Sequence, residues 1–134
     1  MDGKGMSERV IKASESAVIL AEALGKGEAS TALVNKEEVG YGLIRAKLRN
    51  KIPVPEMHQN GDDMYFITAG KGTVYLGGKM MDTEETSAGE YVGKSLKGGT
   101  PTVVEAGDIV SIPRGTPHMM GCPEGKVEYY IVKI

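Results

Sequence analysis

The stretch Gly107-Asp108-Ile109-Val110-Ser111-Ile112-Pro113-Arg114-Gly115-Thr116-Pro117-His118 constrains the fold of this 134-residue chain more than any other. Ile109, Val110 and Ile112, interrupted only by Ser111, predict a short strand. Pro113 and Gly115, the two strongest turn formers, then break it. Pro117 restricts the residue before it to extended backbone, so a second strand opens on His118. A histidine carried by such a corner is held in one place, as a metal ligand or an acid–base group requires.

The same punctuation runs along the chain, whose nineteen glycines predict many tight turns and short strands. One helix is expected over residues 14–25. Ser14 would be its N-cap, Glu15 would sit in the first turn, Val18, Ile19 and Leu24 would form its apolar side, and Gly25 would stop it. The Val-Ile-Leu run within it also suits a strand over 17–20. Strands are predicted at Ser30–Val34 and over 39–49. In the second, Ile44, Ala46 and Leu48 alternate with Arg45, Lys47 and Arg49, and the basic set reads as a solvated face.

Pro53 and Pro55 straighten the chain into Glu56-Met57-His58. Residues 64–68 and 73–76 read as two strands of a hairpin about the turn Ala69-Gly70-Lys71-Gly72. Residues 79–100 are charged and glycine-rich, with Tyr91-Val92 as the one strand signal, and read as a surface excursion over the mouth of a barrel. Strands over 102–105, 109–112, 116–120 and 127–134 complete the count. About eight to ten strands after one helix, with no alternation of strand and helix, define an all-β sandwich or barrel.

A chain this long forms one domain with its own core. Residues 1–29 are read as an arm and short helix, and 30–134 as the barrel. A net charge of −2 with 25% charged residues offers no basic face to nucleic acid or to a membrane surface. The most apolar run, 17–24, is too short to cross a bilayer, and residues 1–6 lack the apolar core of a leader, with Met6 an alternative start. The chain therefore reads as soluble and cytoplasmic. Cys122, the single cysteine, has no partner for a disulfide or a paired-cysteine zinc site and reads as a buried thiol.

The spacing Gly107, five residues, Pro113, one residue, Gly115, two residues, His118 resembles the second conserved motif of the cupin superfamily. Cys122 stands where that motif usually has Asn. The first cupin motif runs Gly, five residues, His-x-His, three or four residues, Glu, six residues, Gly. The segment Glu56-Met57-His58, four residues, Asp63, six residues, Gly70 keeps this spacing. Glu56 replaces the first His, Asp63 replaces the Glu, and Asn50 replaces the upstream Gly. The resemblance covers about residues 39–134. It implies a double-stranded β-helix, a jelly-roll-like barrel, with a short N-terminal helix, and a small-molecule ligand or substrate. It also implies a homodimer, in which Ser30–Val34 and residues 127–134 would otherwise be exposed sheet edges.

Strand periodicity puts Glu56 and His58 on one face. Asp63 begins the next strand, and His118 joins from the corner. Two imidazoles and two carboxylates form a donor set for one divalent ion, Fe, Mn, Zn, Ni or Co. Where one carboxylate stays off the ion, the set resembles a facial triad with open positions, and the free group, Glu56 for example, is a candidate general base. Tyr65 is the second catalytic candidate. Tyr65, Ile67 and Met120 share the inward phase, where they either line a substrate pocket or fill the barrel core. The function is read as a metal-dependent enzyme of oxygenase, isomerase, lyase or epimerase type. Its alternatives are a non-catalytic ligand-binding or sensing module and a scaffold that has lost its metal, and fold alone does not choose between them.

Overall fold

The computed structural model describes residues 8–134. Residues 1–6, with the expected leader-free start and Met6, lie outside the described residues. Helix α1 (Ala13–Gly25) leads into β1 (Ser30–Val34), the single turn α2 (Lys36–Val39) and β2 (Gly42–Lys51). Then follow β3 (Glu56–His58), β4 (Asp63–Leu76), β5 (Lys79–Met81), β6 (Glu84–Ser87), β7 (Glu90–Val92) and β8 (Ser95–Lys97). The strands β9 (Thr100–Glu105), β10 (Ile109–Ile112) and β11 (His118–Lys133) close the chain.

Two layers face each other, and the long strands β4 and β11 bend to serve both. In the first layer the order is β1-β2-β11-β4-β10, using residues 126–133 of β11 and 63–70 of β4. In the second it is β6-β7-β3-β11-β4-β9, using residues 118–121 of β11 and 71–76 of β4. Between the layers lies one core to which both contribute, including Ala46, Leu48, Ile67, Val74, Val110 and Val127. This is the all-β barrel expected, with alternate residues of each strand turned inward.

Three expectations about strands are corrected. The turn read at 69–72 does not exist. β4 continues through Gly70 and pairs with β11 on both sides of it, so residues 64–76 form one bent strand. Residues 79–100 are not an irregular cover. They hold β5 and β8, paired as a ribbon, and β6 and β7, which extend the second layer beside β3. Their brevity and exposure hid them, since β6 is exposed throughout and β5 and β8 each turn only their middle residue away from solvent. Residues 127–133 are not an edge, since β2 flanks them on one side and β4 on the other. Of that proposed pair of edges, β1 alone pairs on one side only among the described residues.

Helix α1 also differs in detail. Lys12, not Ser14, holds the N-cap position, with extended backbone and no side-chain cap. The face turned inward is Ser16, Leu20 and Ala23, at spacings of four and three residues, while Val18 is 58% exposed. The polar Ser16 is admitted because its hydroxyl pairs with that of Tyr130 at 2.9 Å. Of the basic set on β2, Arg45 is not solvated. It pairs with Glu128 at 2.7 Å and lies over the Tyr130 ring, 4.8 Å from its centroid. An aromatic face and a carboxylate together satisfy a partly buried guanidinium that alternation alone assigns to water.

Candidate metal site

Register brings the site together. Glu56 on β3 lies directly across from His118, the first residue of β11, and His58 follows two residues along the same face of β3. The corner before His118 is pinned to the strand it faces. The Gly115 N–H donates to the His58 carbonyl at 2.8 Å. Arg114, exposed on this turn, donates its backbone N–H to Asp62 Oδ1 at 2.8 Å and its Nε–H to the same oxygen at 3.1 Å. Asp63 reaches the same place from the opposite layer, at the start of β4.

The hydrogen bonds behind each imidazole decide what its other nitrogen can do. His118 Nδ1 lies 2.9 Å from the Thr116 carbonyl, which can only accept, so Nδ1 carries the proton and Nε2 faces Glu56 Oε1 at 3.2 Å. His58 Nδ1 donates to Glu90 Oε1 at 2.7 Å, and its Nε2 also turns inward. One donor atom from each of Glu56, His58 and His118 therefore meets the others within 4.8 Å. Two ring nitrogens and a carboxylate that share one space are a donor set that could hold a cation.

His58 Nε2 is the open donor atom of this set. Among the described residues it is the one fully buried side-chain polar atom without a hydrogen-bond partner. Asp63 Oδ2 stands 3.2 Å away but off the axis of the N–H, and Glu56 Oε1 lies at 3.6 Å. Asp63 itself is 3% exposed and is held by Lys133 Nζ at 3.0 and 3.3 Å. It is thus a carboxylate beside His58 that already has a cationic partner, and it is not one of the three convergent donors.

The charges in the cluster are tightly coupled. Burial pushes the Glu56 carboxyl upward, but the neighbouring His118 and His58 imidazoles outweigh it and hold the group far below the usual carboxylate range. Burial likewise opposes ionisation of Asp63, but His58 and Lys133 outweigh it and lower the pKa of the group. Contacts with Asp63 and then Glu56 raise the His58 imidazole to about 10. In metal-free protein, a proton on His58 thus supplies the positive charge. Its folded pKa lies above the ordinary 6.5, so the stability it contributes is complete below about pH 6.5 and is lost as pH rises through about 10. Thermal unfolding of chelator-treated protein is expected to show Tm falling across that window, and His58→Gln should flatten the fall. An equally steep fall in the variant would show that another group titrates.

Two cavities flank the cluster. One, of about 210 Å³, is lined by Glu56, Tyr65, Met120, Tyr129, Val92 and Lys51 among others. The other, of about 280 Å³, exposes His58, Asp63, Glu90 and Lys133. A larger cleft of about 590 Å³ lies on the outer face against Arg9, Leu33 and Tyr41, and none of the clustered donors reaches it. Of the three residues expected to turn inward, Tyr65 and Met120 line the smaller cavity, while Ile67 packs in the core behind it. Sequence reasoning missed Glu90, Lys133 and Tyr129. Glu90 was legible only as the neighbour of Tyr91-Val92, one alternation step away from being read as part of their strand.

No family model matches this chain, and no curated protein matches it. Solved structures do. The chain is similar to BH2720 from Bacillus halodurans at a TM-score of 0.64 and 16% identity, covering 97% of this chain and 83% of that one. It is similar to the DMSP lyase DddQ from Ruegeria pomeroyi DSS-3 at 0.56 and 16%, covering 78% of this chain and 45% of that one. The cobalt(II) form of HppE matches at 0.57 and 13%, covering 78% and 52%. The chain spans about half the length of DddQ and HppE. These neighbours are cupin-fold proteins, and the curled two-layer sheet of this chain is a single cupin barrel carrying a candidate metal site at Glu56, His58 and His118.

Proposed function

We propose that this chain is a divalent-metal-dependent enzyme acting on a small molecule, with Glu56, His58 and His118 holding the ion. One observation carries the reading. Both imidazoles donate Nδ1–H outward, to Glu90 and to Thr116, and so aim their Nε2 atoms at one carboxylate. Two nitrogens and one oxygen suit Fe, Mn, Zn, Ni or Co. When bound, such an ion polarises a substrate oxygen as a Lewis acid.

The chain's own residues do the rest. Glu90 and the Thr116 carbonyl fix each ring's orientation and tautomer. Asp63, engaged by Lys133, balances charge beside His58 rather than serving as the fourth ligand. Tyr65 lines the cavity on the Glu56 side. Similarity to a lyase and to a cobalt-bound protein supports the enzymatic reading, and a homodimer through the free edge of β1 belongs to the same proposal.

Protein purified without chelators and analysed for these five metals is expected to hold about one ion per chain, removable by chelation and restored by titration. A chain that stays metal-free when offered each ion in excess rules the reading out.

A further inference from the structure

Asp63 stands at the edge of the donor set without joining it. Its Oδ2 lies 3.2 Å from His58 Nε2, the same separation as Glu56 Oε1 from His118 Nε2. Two ligands each ~2.1 Å from one ion stand roughly 3–3.5 Å apart. Asp63 is therefore already at ligand spacing from one donor. Yet it is not among the atoms that converge within 4.8 Å of one another. Its other neighbour comes from the strand opposite. Asp63 and Lys133 are direct partners in the register of β4 on β11, and Lys133 Nζ reaches both carboxylate oxygens, at 3.0 and 3.3 Å.

Burial gives that contact its weight. Asp63 is 3% exposed, so its charge has to be matched by groups in contact with it. Among the described residues, Lys133 and the His58 ring are the two that do so. Lys133 is the less buried partner, its side chain 32% exposed on the charged cavity beside His58. Taking one member from a buried ion pair leaves the other as an uncompensated charge. For Asp63 without Lys133, an ion seated on His58 Nε2 becomes the nearest cation.

We infer that Lys133 is a positioning residue that withholds Asp63 from the metal, so that three protein donors hold the ion and a further position stays open to substrate. An open position beside three protein ligands is what distinguishes a catalytic ion from a structural one, which four protein donors enclose. The inference rests on the metal reading and goes beyond it, because it gives Lys133 control over the number of ligands. Without Lys133, the Asp63 carboxylate turns to the ion as a fourth donor.

Two measurements read these consequences: zinc affinity by competition with a colorimetric chelator, and the visible spectrum of the cobalt(II)-loaded chain. Cobalt(II) bands respond to the number and kind of donors, which a merely structural role for Lys133 would leave alone. Lys133→Met is expected to bind zinc at least about tenfold more tightly, on the scale by which neighbours of a ligand move metal affinity, and to change the cobalt spectrum. Adding Asp63→Asn to it should restore the parent's spectrum, and Lys133→Arg, which keeps the clamp, should never lose it. Equal or weaker zinc binding by a folded Lys133→Met overturns the inference. So does tighter binding with the parent's spectrum, because Lys133 would then act only as a like charge near the ion. Should Lys133→Met fail to fold, Asp63→Asn alone decides: it is expected to keep the parent's spectrum, and a changed one would make Asp63 a ligand already. Zinc stoichiometry of the parent reports on the metal reading separately. One zinc per chain with no response to Lys133→Met sinks this inference alone, whereas no zinc in either chain sinks both.

Discussion

Replacing His118 with alanine is expected to abolish stoichiometric metal binding, with zinc affinity falling by more than about 100-fold. Removing a residue that merely orients a ligand costs about 10–100-fold, and a ligand itself should cost more. His118 is 1% exposed and is gripped on one side by the Thr116 carbonyl, so no neighbouring donor is free to move into its place. The fold should survive, because His118 sits at the first position of β11 and the long pairing of that strand with β2 and β4 does not use its side chain. Glu90→Gln is the graded companion. The amide still accepts from His58 Nδ1 but no longer carries charge, so its loss should fall within the outer-shell range. Elemental analysis after dialysis, with far-UV circular dichroism as the control, reads both. Full occupancy in His118→Ala would remove that residue from the ligand set, and an equal loss in both variants would mean Glu90 does more than orient.

The site's legibility in the sequence follows from which distances are local. His118 was readable because a proline–glycine corner fixes a side chain within a few residues of itself. Glu56 and His58 were readable because a strand repeats every two residues. Asn50 shows how a departure from a motif can keep its physics. It stands where the cupin pattern has glycine, and its φ of 48° lies in the left-handed region that asparagine tolerates. What stayed hidden depends on pairing between distant segments. Glu90 reaches His58 only because β7 adds to the edge of β3, and Lys133 reaches Asp63 only through the register of β11 on β4. The misread hairpin has a similar cause. Ala69-Gly70-Lys71-Gly72 carries turn chemistry, but here the glycine lets a strand pass from one layer to the other.

That passage makes Gly70→Ala the substitution expected to damage the fold most. Gly70 has φ of 74°, and a Cβ built there would run into the Lys126 carbonyl and lie 2.9 Å from its carbon. The contact is backbone, so no side chain can rotate aside. Beside it β11 is itself irregular between Gly121 and Val127, so β4 and β11 change layers at the same level. A left-handed conformation costs a non-glycine residue about 1–2 kcal/mol, and displacing the facing carbonyl should bring the loss to about 3 kcal/mol or more. Gly98→Ala isolates the first of these effects. Its φ is 85°, yet nothing lies within 4 Å of the added carbon. Denaturant unfolding should place Gly98→Ala about 1–2 kcal/mol below the parent and Gly70→Ala well below that. Metal loading should drop with it, because the two halves of β4 set Asp63 and Tyr65 in one layer against the partner strand of His118 in the other. If the two variants unfolded at the same denaturant concentration, the close approach at Gly70 would not be what holds the layers in register.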